Sequence, residues 1–239
     1  HMRKNSTKLI ILSVIALICI GLFSLWNIQG GFSYAFPRRL ERVFAMVITG
    51  TAIAFATVIF QTVTHNRLLT PSMMGVDSMF EVVQTVIYFT LGSASIFVVS
   101  RYLNFGISII AMVLFALLLY RFLFRADKYP IFLLLLAGMI IGTLLGSLVT
   151  FLQVIIDPLE YEALQSRMFA SFMNVKTELI LIAAVILIIC FILGYRLLHK
   201  LDVMSLGRDN AINLGVNYDK IVLQVLILAS VLIATSKSL

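Results

Sequence analysis

Six stretches of this chain run with little or no charge for close to one membrane thickness: Leu9–Trp26, Val43–Phe60, Tyr102–Tyr120, Ile131–Ile156, Leu179–Tyr195 and Ile221–Ser236. A helix needs about 20 apolar residues to cross the hydrocarbon of a bilayer. Lipid offers no partner to open backbone groups, so only helices or a closed barrel can span it. The runs lack two-residue alternation, which excludes the barrel. The chain is predicted to be an all-α integral membrane protein, a polytopic helical bundle. Composition agrees: 61% hydrophobic and 12% charged residues, with a mean hydropathy of +1.06, leave too little polar surface for a soluble globule of 239 residues.

A shorter run, Met79–Leu91, contains Glu81 and Gln84, so it is expected to face other helices rather than lipid. Counted as a helix, it brings the total to about seven spans. With the N-terminus in the cytoplasm, eleven basic residues fall inside: Arg3, Lys4, Lys8, Arg67, Arg121, Arg125, Lys128, Arg196, Lys200, Arg208 and Lys220. Seven fall outside: Arg38, Arg39, Arg42, Arg101, Arg167, Lys176 and Lys237. The excess favours this orientation. Three of the exceptions crowd into Arg38–Arg42 and call for a local reason. The net charge of +7 sits at the ends of apolar runs, which fits membrane orientation and not nucleic-acid binding.

His1 and Met2 read as a cloning scar. The first apolar run follows basic residues as a signal peptide would. No small-residue cleavage site comes after it and Trp26 suits an interface, so it is expected to be retained as a span. Cys19 and Cys190 each stand alone in an apolar run and read as packing residues, with no disulfide or metal site. Gly138, Gly142 and Gly146 recur every four residues on one helical face, where small residues let a neighbouring backbone approach; helix packing is the expectation and substrate contact the lesser alternative.

Asp157–Glu178 reads as a polar outer segment, with Pro158 opening a turn or helix. Leu201–Lys220 reads either as an ordinary loop or as two short surface helices capped by Asp202 and Asp209 and ended by Gly207 and Gly215. No nucleotide-binding loop, no H-E-x-x-H, no C-x-x-C and no pair of carboxylates inside a span that could serve as a proton relay occurs, and His65 stands alone beside a loop. The chain therefore has no catalytic constellation and is not expected to be an enzyme.

Pro37–Asp77 joins a basic cluster, an apolar segment and a polar loop. It resembles the permease subunits of bacterial ABC importers for ferric siderophores, haem and vitamin B12, the FecCD-like family. Arg39, Arg42, Gly50, Gln61, Asn66, Leu68, Pro71, Gly75 and Val76 match the family pattern at fixed offsets, while Glu41 and Arg67 replace prolines. Leu133–Leu148 resembles the family's fifth helix. Leu206, Gly207, Ala211, Leu214 and Gly215 resemble its cytoplasmic coupling segment, and Arg167–Val175 its catecholate-siderophore branch.

The resemblance implies one permease domain over residues 1–239 with the type II ABC importer (BtuC-like) fold, in a bacterial plasma membrane. It implies that Arg39 and Arg42 dock an extracellular siderophore-binding protein. Asn66 and Leu68 would form a cytoplasmic gate, and residues 201–215, including Arg208, would couple to an ATPase. The implied partners are a second, distinct permease, two ATPase subunits and the ferric siderophore as cargo. No cofactor or metal is bound directly; ATP is used by the partner ATPase. Family members continue for several helices beyond the point matched by Leu239, so a C-terminal truncation is expected, with a transport-incompetent fragment as the alternative reading.

Overall fold

The computed structural model describes residues 2–25, 32–64, 66–67, 69–121, 131–169 and 177–239. Trp26, His65, Leu68, Arg125, Lys128, Lys176 and residues 170–175 of the branch motif lie outside these. The described residues form ten α-helices and one 3-10 turn, with no strand: α1 (Met2–Leu25), α2 (Phe32–Thr64), the turn Pro71–Met74, α3 (Val76–Leu91), α4 (Ile96–Val99), α5 (Arg101–Leu119), α6 (Ile131–Ile155), α7 (Pro158–Phe169), α8 (Thr177–Met204), α9 (Arg208–Asn213) and α10 (Tyr218–Ser238).

Five helices contain segments long and apolar enough to cross a membrane: Phe36–Thr64, Arg101–Leu119, Leu136–Ile155, Glu178–Met204 and Tyr218–Ser238. With α1, whose apolar stretch is Ile10–Ser24, and the 16-residue α3, they account for the seven expected spans.

The core is built around α10, which packs on α2, α5 and α8. Between lipid-soluble helices the attraction is close packing rather than exclusion of water, so small side chains matter. Ala45, Ala52 and Ala56 are fully buried along one face of α2, and Ala229 and Ala234 are buried on α10. In contrast, α6 leaves Leu144, Leu148, Phe151 and Val154 exposed, as a lipid-facing surface does.

The 16 residues of α3 suffice because its crossing is not wholly helical. Gly75, just before α3, lies against Gly142, the twelfth of the 25 residues of α6. The described chain before α3 thus lies within the bundle as the 3-10 turn Pro71–Met74 and irregular backbone at 69–70, and α3 starts at mid-depth of α6. Such backbone is tolerated at membrane depth only inside protein, and Leu69, Pro71 and Met74 are buried. Polar groups along it find partners: the Gln61 side-chain amide donates to the Arg67 carbonyl at 2.7 Å, and Gly75 N–H to the Ser72 carbonyl at 3.1 Å. Gly75 turns the chain at φ +84°, a left-handed conformation natural to glycine.

Pro158 opens α7 as expected. The 201–220 segment holds one short helix rather than two. Buried Leu201 and Met204 keep α8 helical through the site where a first short helix was expected, leaving Asp202 inside α8. Gly207 (φ +104°) and Gly215 (φ +81°) then bracket α9.

Candidate functional site

Two ends of the bundle can be told apart by side-chain ties. At one, the Tyr218 hydroxyl donates to the Val63 carbonyl at 3.2 Å, joining the start of α10 to the last turn of α2. Here α9 projects. Ala211 is buried beneath it, Leu206 and Leu214 are exposed, and the Arg208 guanidinium lies 5.8 Å from the Tyr218 ring centre. Gly207 and Gly215 give the sharp turns on either side of α9 that set it across the ends of α8 and α10.

The other end carries Arg39 and Arg42 in the early turns of α2. Arg39 donates to the Phe23 carbonyl at 3.0 Å, in the last turn of α1, where carbonyls lack helical partners and the helix dipole is negative. From Arg39 to Val63 is 24 residues of helix, roughly 36 Å at 1.5 Å per residue. The basic residues and α9 therefore stand a membrane thickness apart.

Between them lies a cavity of about 580 Å³, nearer the Arg39 end. Thr49 of α2, Asp77 and Gln84 of α3, Arg101 and Asn104 of α5 and Lys237 of α10 are among its lining residues. Lys237 Nζ is 3.9 Å from Asp77 Oδ1 and 3.8 Å from Glu81 Oε1. Asp77 and Glu81 thus share one cationic neighbour at the foot of α3. The two sit one turn apart on α3, and Asp77 is partly buried in the first turn of that helix rather than part of a loop. Their spacing of four was the available signal.

Deeper on the same helices, Gln84 Nε2 donates to Asn104 Oδ1 at 3.0 Å and to Ser108 Oγ at 2.9 Å, and Asn104 Nδ2 donates back to Gln84 Oε1 at 3.1 Å. All three side chains are buried, and the reciprocal amide pair fixes α3 against α5. Gln84 was expected to face other helices; its partners on α5 could not be read from spacing.

Gly138, Gly142 and Gly146 line the face of α6 against Met74, Gly75 and Ser78 respectively. Asn66 lies in the segment before α3, where its carbonyl accepts from Leu69 N–H at 3.3 Å; Leu68 lies outside the described residues. Cys190 is buried in the main core, whereas Cys19 is exposed beside an apolar groove between α1 and α2. Among the described residues, no three His, Cys, Asp or Glu side chains gather into a group able to hold a metal ion.

A bundle of apolar helices with a partly polar cavity and distinct polar ends defines a polytopic helical membrane protein. The chain belongs to the FecCD transport family, which matches residues 8–239. It is therefore a transport subunit and not an enzyme. It is 44% identical over 236 residues to the petrobactin import system permease protein YclO of Bacillus subtilis (strain 168), covering 99% of this chain and 75% of that protein. It is 31% identical to the petrobactin import system permease protein FatC of Bacillus anthracis, covering 95% of this chain and 67% of that protein. The fold resembles a structure described as the inward-facing conformation of a metal-chelate type ABC transporter, with a TM-score of 0.78 at 24% identity over 97% of this chain and 74% of that one.

Proposed function

We propose that this chain is the permease subunit of an ATP-binding cassette importer that takes up a ferric siderophore of catecholate type. The observation that carries the reading is the 44% identity, along nearly the whole chain, to a petrobactin import permease. In this reading a second, distinct permease, two ATPase subunits and an extracellular siderophore-binding protein complete the importer. Arg39 and Arg42 face outward and meet carboxylates of the binding protein, since complementary charge speeds encounter and fixes register. This gives the outer cluster Arg38–Arg42 its local reason.

At the opposite end, Leu206, Gly207, Arg208, Ala211, Leu214 and Gly215 form a knob for the ATPase. Leu206 and Leu214, exposed beside α9, supply apolar surface for a partner groove to cover. ATP-driven closure of the ATPase pair moves the helices as units, and the loop that begins at Asn66 narrows the path on that side. The α9 end then lies in the cytoplasm of a bacterial plasma membrane, with the N-terminus of α1. Iron travels inside its chelate, so the permease needs no ligand of its own for the metal.

The test is radio-iron uptake by the assembled importer in cells lacking other siderophore systems. Uptake is expected with petrobactin as chelator and not with a hydroxamate, and should fall at least tenfold, as an order of magnitude, when Arg39 and Arg42 are both replaced by Glu. Equal uptake of both chelates would remove the cargo assignment; unchanged uptake in the double variant would remove the docking role.

A further inference from the structure

A groove runs down the outside of the α1–α2 pair, and an arginine stands at its mouth. Cys19, Ile20 and Phe23 of α1 form one wall and Val43, Met46 and Val47 of α2 the other, around a space of about 320 Å³. On α2 the wall follows helical spacing and Arg39 continues it. That arginine stands one turn before Val43 and two turns before Met46 and Val47, so the four share one stripe. Arg42, one turn before Met46, flanks the same stripe. On α1 the wall ends at Phe23, whose carbonyl accepts from Arg39 at 3.0 Å. The guanidinium is thereby tied to the backbone of one wall while its stem springs from the other.

The walls are apolar and open to the side: Phe23, Met46 and Val47 are exposed, as is Cys19. They belong to the apolar stretch Ile10–Ser24 and the span Phe36–Thr64, so hydrocarbon lies alongside. A concave seam holds an acyl chain better than a flat face, because more atoms come within dispersion range. The mouth is different in kind. Arg38, Arg39 and Arg42 gather there against a single carboxylate, Glu41. Basic residues at the end of a span attract anionic headgroups, and basic pockets between membrane helices select them. From Phe23 to Cys19 the groove descends roughly 6 Å, at 1.5 Å per residue. A free anion would occupy only the mouth and a neutral lipid only the groove; a lipid with an anionic headgroup fits both.

We propose that the α1–α2 groove binds one anionic phospholipid from the leaflet at the Arg39 end, with its phosphate on Arg39 and Arg42 and an acyl chain between the two helices. This goes beyond the importer assignment. The readout is lipid held by the permease alone, so it depends neither on the cargo nor on docking of a binding protein. The full chain in detergent is titrated with phosphatidylglycerol or with phosphatidylcholine of the same acyl chains, and bound lipid is counted by native mass spectrometry.

One phosphatidylglycerol should be held about tenfold more tightly than phosphatidylcholine, the order of magnitude that one or two arginines near a headgroup supply. Glycerol phosphate, which has the anion without the chain, should not displace it. Arg39→Gln with Arg42→Gln should bring phosphatidylglycerol down to the phosphatidylcholine level. Val47→Trp fills the groove from an exposed position, leaves the Arg39–Phe23 tie in place, and should abolish the tight lipid; it decides the matter if the arginine variant fails to fold. Equal affinity for the two lipids, a preference unchanged in the arginine variant, or a tight lipid retained in Val47→Trp overturns the proposal. Displacement by glycerol phosphate overturns it in favour of a free anion, and retention of neither lipid in favour of a protein helix as the occupant.

Discussion

Gly75 and Gly142 cross backbone against backbone: a Cβ built on Gly75 would lie 2.6 Å from the Gly142 Cα, and one built on Gly142 would lie 3.0 Å from the Gly75 nitrogen. Neither neighbour is a flexible side-chain tip that can swing aside. The other two glycines of the α6 face are less demanding. A Cβ on Gly138 meets the Met74 side chain at 3.0 Å, and one on Gly146 meets only Ser78 Oγ at 3.9 Å.

Alanine substitutions along this face should therefore rank Gly142, then Gly138, then Gly146 in cost. Overpacking at a rigid contact costs about 1–3 kcal/mol, which is expected for Gly142→Ala; Gly146→Ala should be near neutral. Thermal unfolding of the detergent-solubilised protein reads the order. Equal melting temperatures for the three would show that α6 can shift bodily away from the turn before α3.

The Gln84–Asn104 pair offers a second check. Asn104→Ala removes one partner and leaves the Gln84 amide buried and half satisfied, at a cost of about 1–2 kcal/mol. Changing both residues to Leu should recover part of that loss, because neither unsatisfied group remains. Denaturation midpoints of Asn104→Ala and of the double variant decide it.

Arg39 is tied to the last turn of α1 through the Phe23 carbonyl. Arg39→Gln should loosen the end of α1 by a few tenths to about 1 kcal/mol, the range for a cation at a helix C-terminus, and, under the proposed docking role, should also lower affinity for the binding protein. Differential scanning of the isolated permease shows the first effect and binding affinity at low and high salt the second. The expected signature for Arg39 is a drop in both.

At α9, Arg208→Glu should uncouple substrate-stimulated ATP hydrolysis in the assembled importer several-fold without lowering permease stability. Leu214→Ser, at an exposed position, should weaken co-purification of the ATPase. Wild-type coupling in both variants would remove the docking role of α9.

The spans were legible because each is a long uncharged run with basic ends, a signal set by the bilayer itself. Pro158 also marked its helix start, since proline suits the first turn. What escaped was placement in depth. Asp77 looked like the end of a loop because sequence does not show that the chain before α3 lies within the bundle, and so the Asp77–Glu81–Lys237 cluster went unseen. Likewise Glu160 and Arg167 look like ordinary surface charges on a polar helix; their partners, Ser93 and the Val98 carbonyl, lie 67 and 69 residues away, a separation no local pattern encodes. The second short helix failed for a different reason: Asp202 has a capping side chain, but burial of Leu201 and Met204 outweighs a local preference.

The tie between Tyr218 and Val63 fixes one end of α10, and Lys237 meets Asp77 and Glu81 at the other. Along its 21 residues this helix contains neither glycine nor proline, the usual sites of kinks. It thus joins the tie at Val63 to the Asp77–Glu81 cluster as one element with no residue at which it would readily kink.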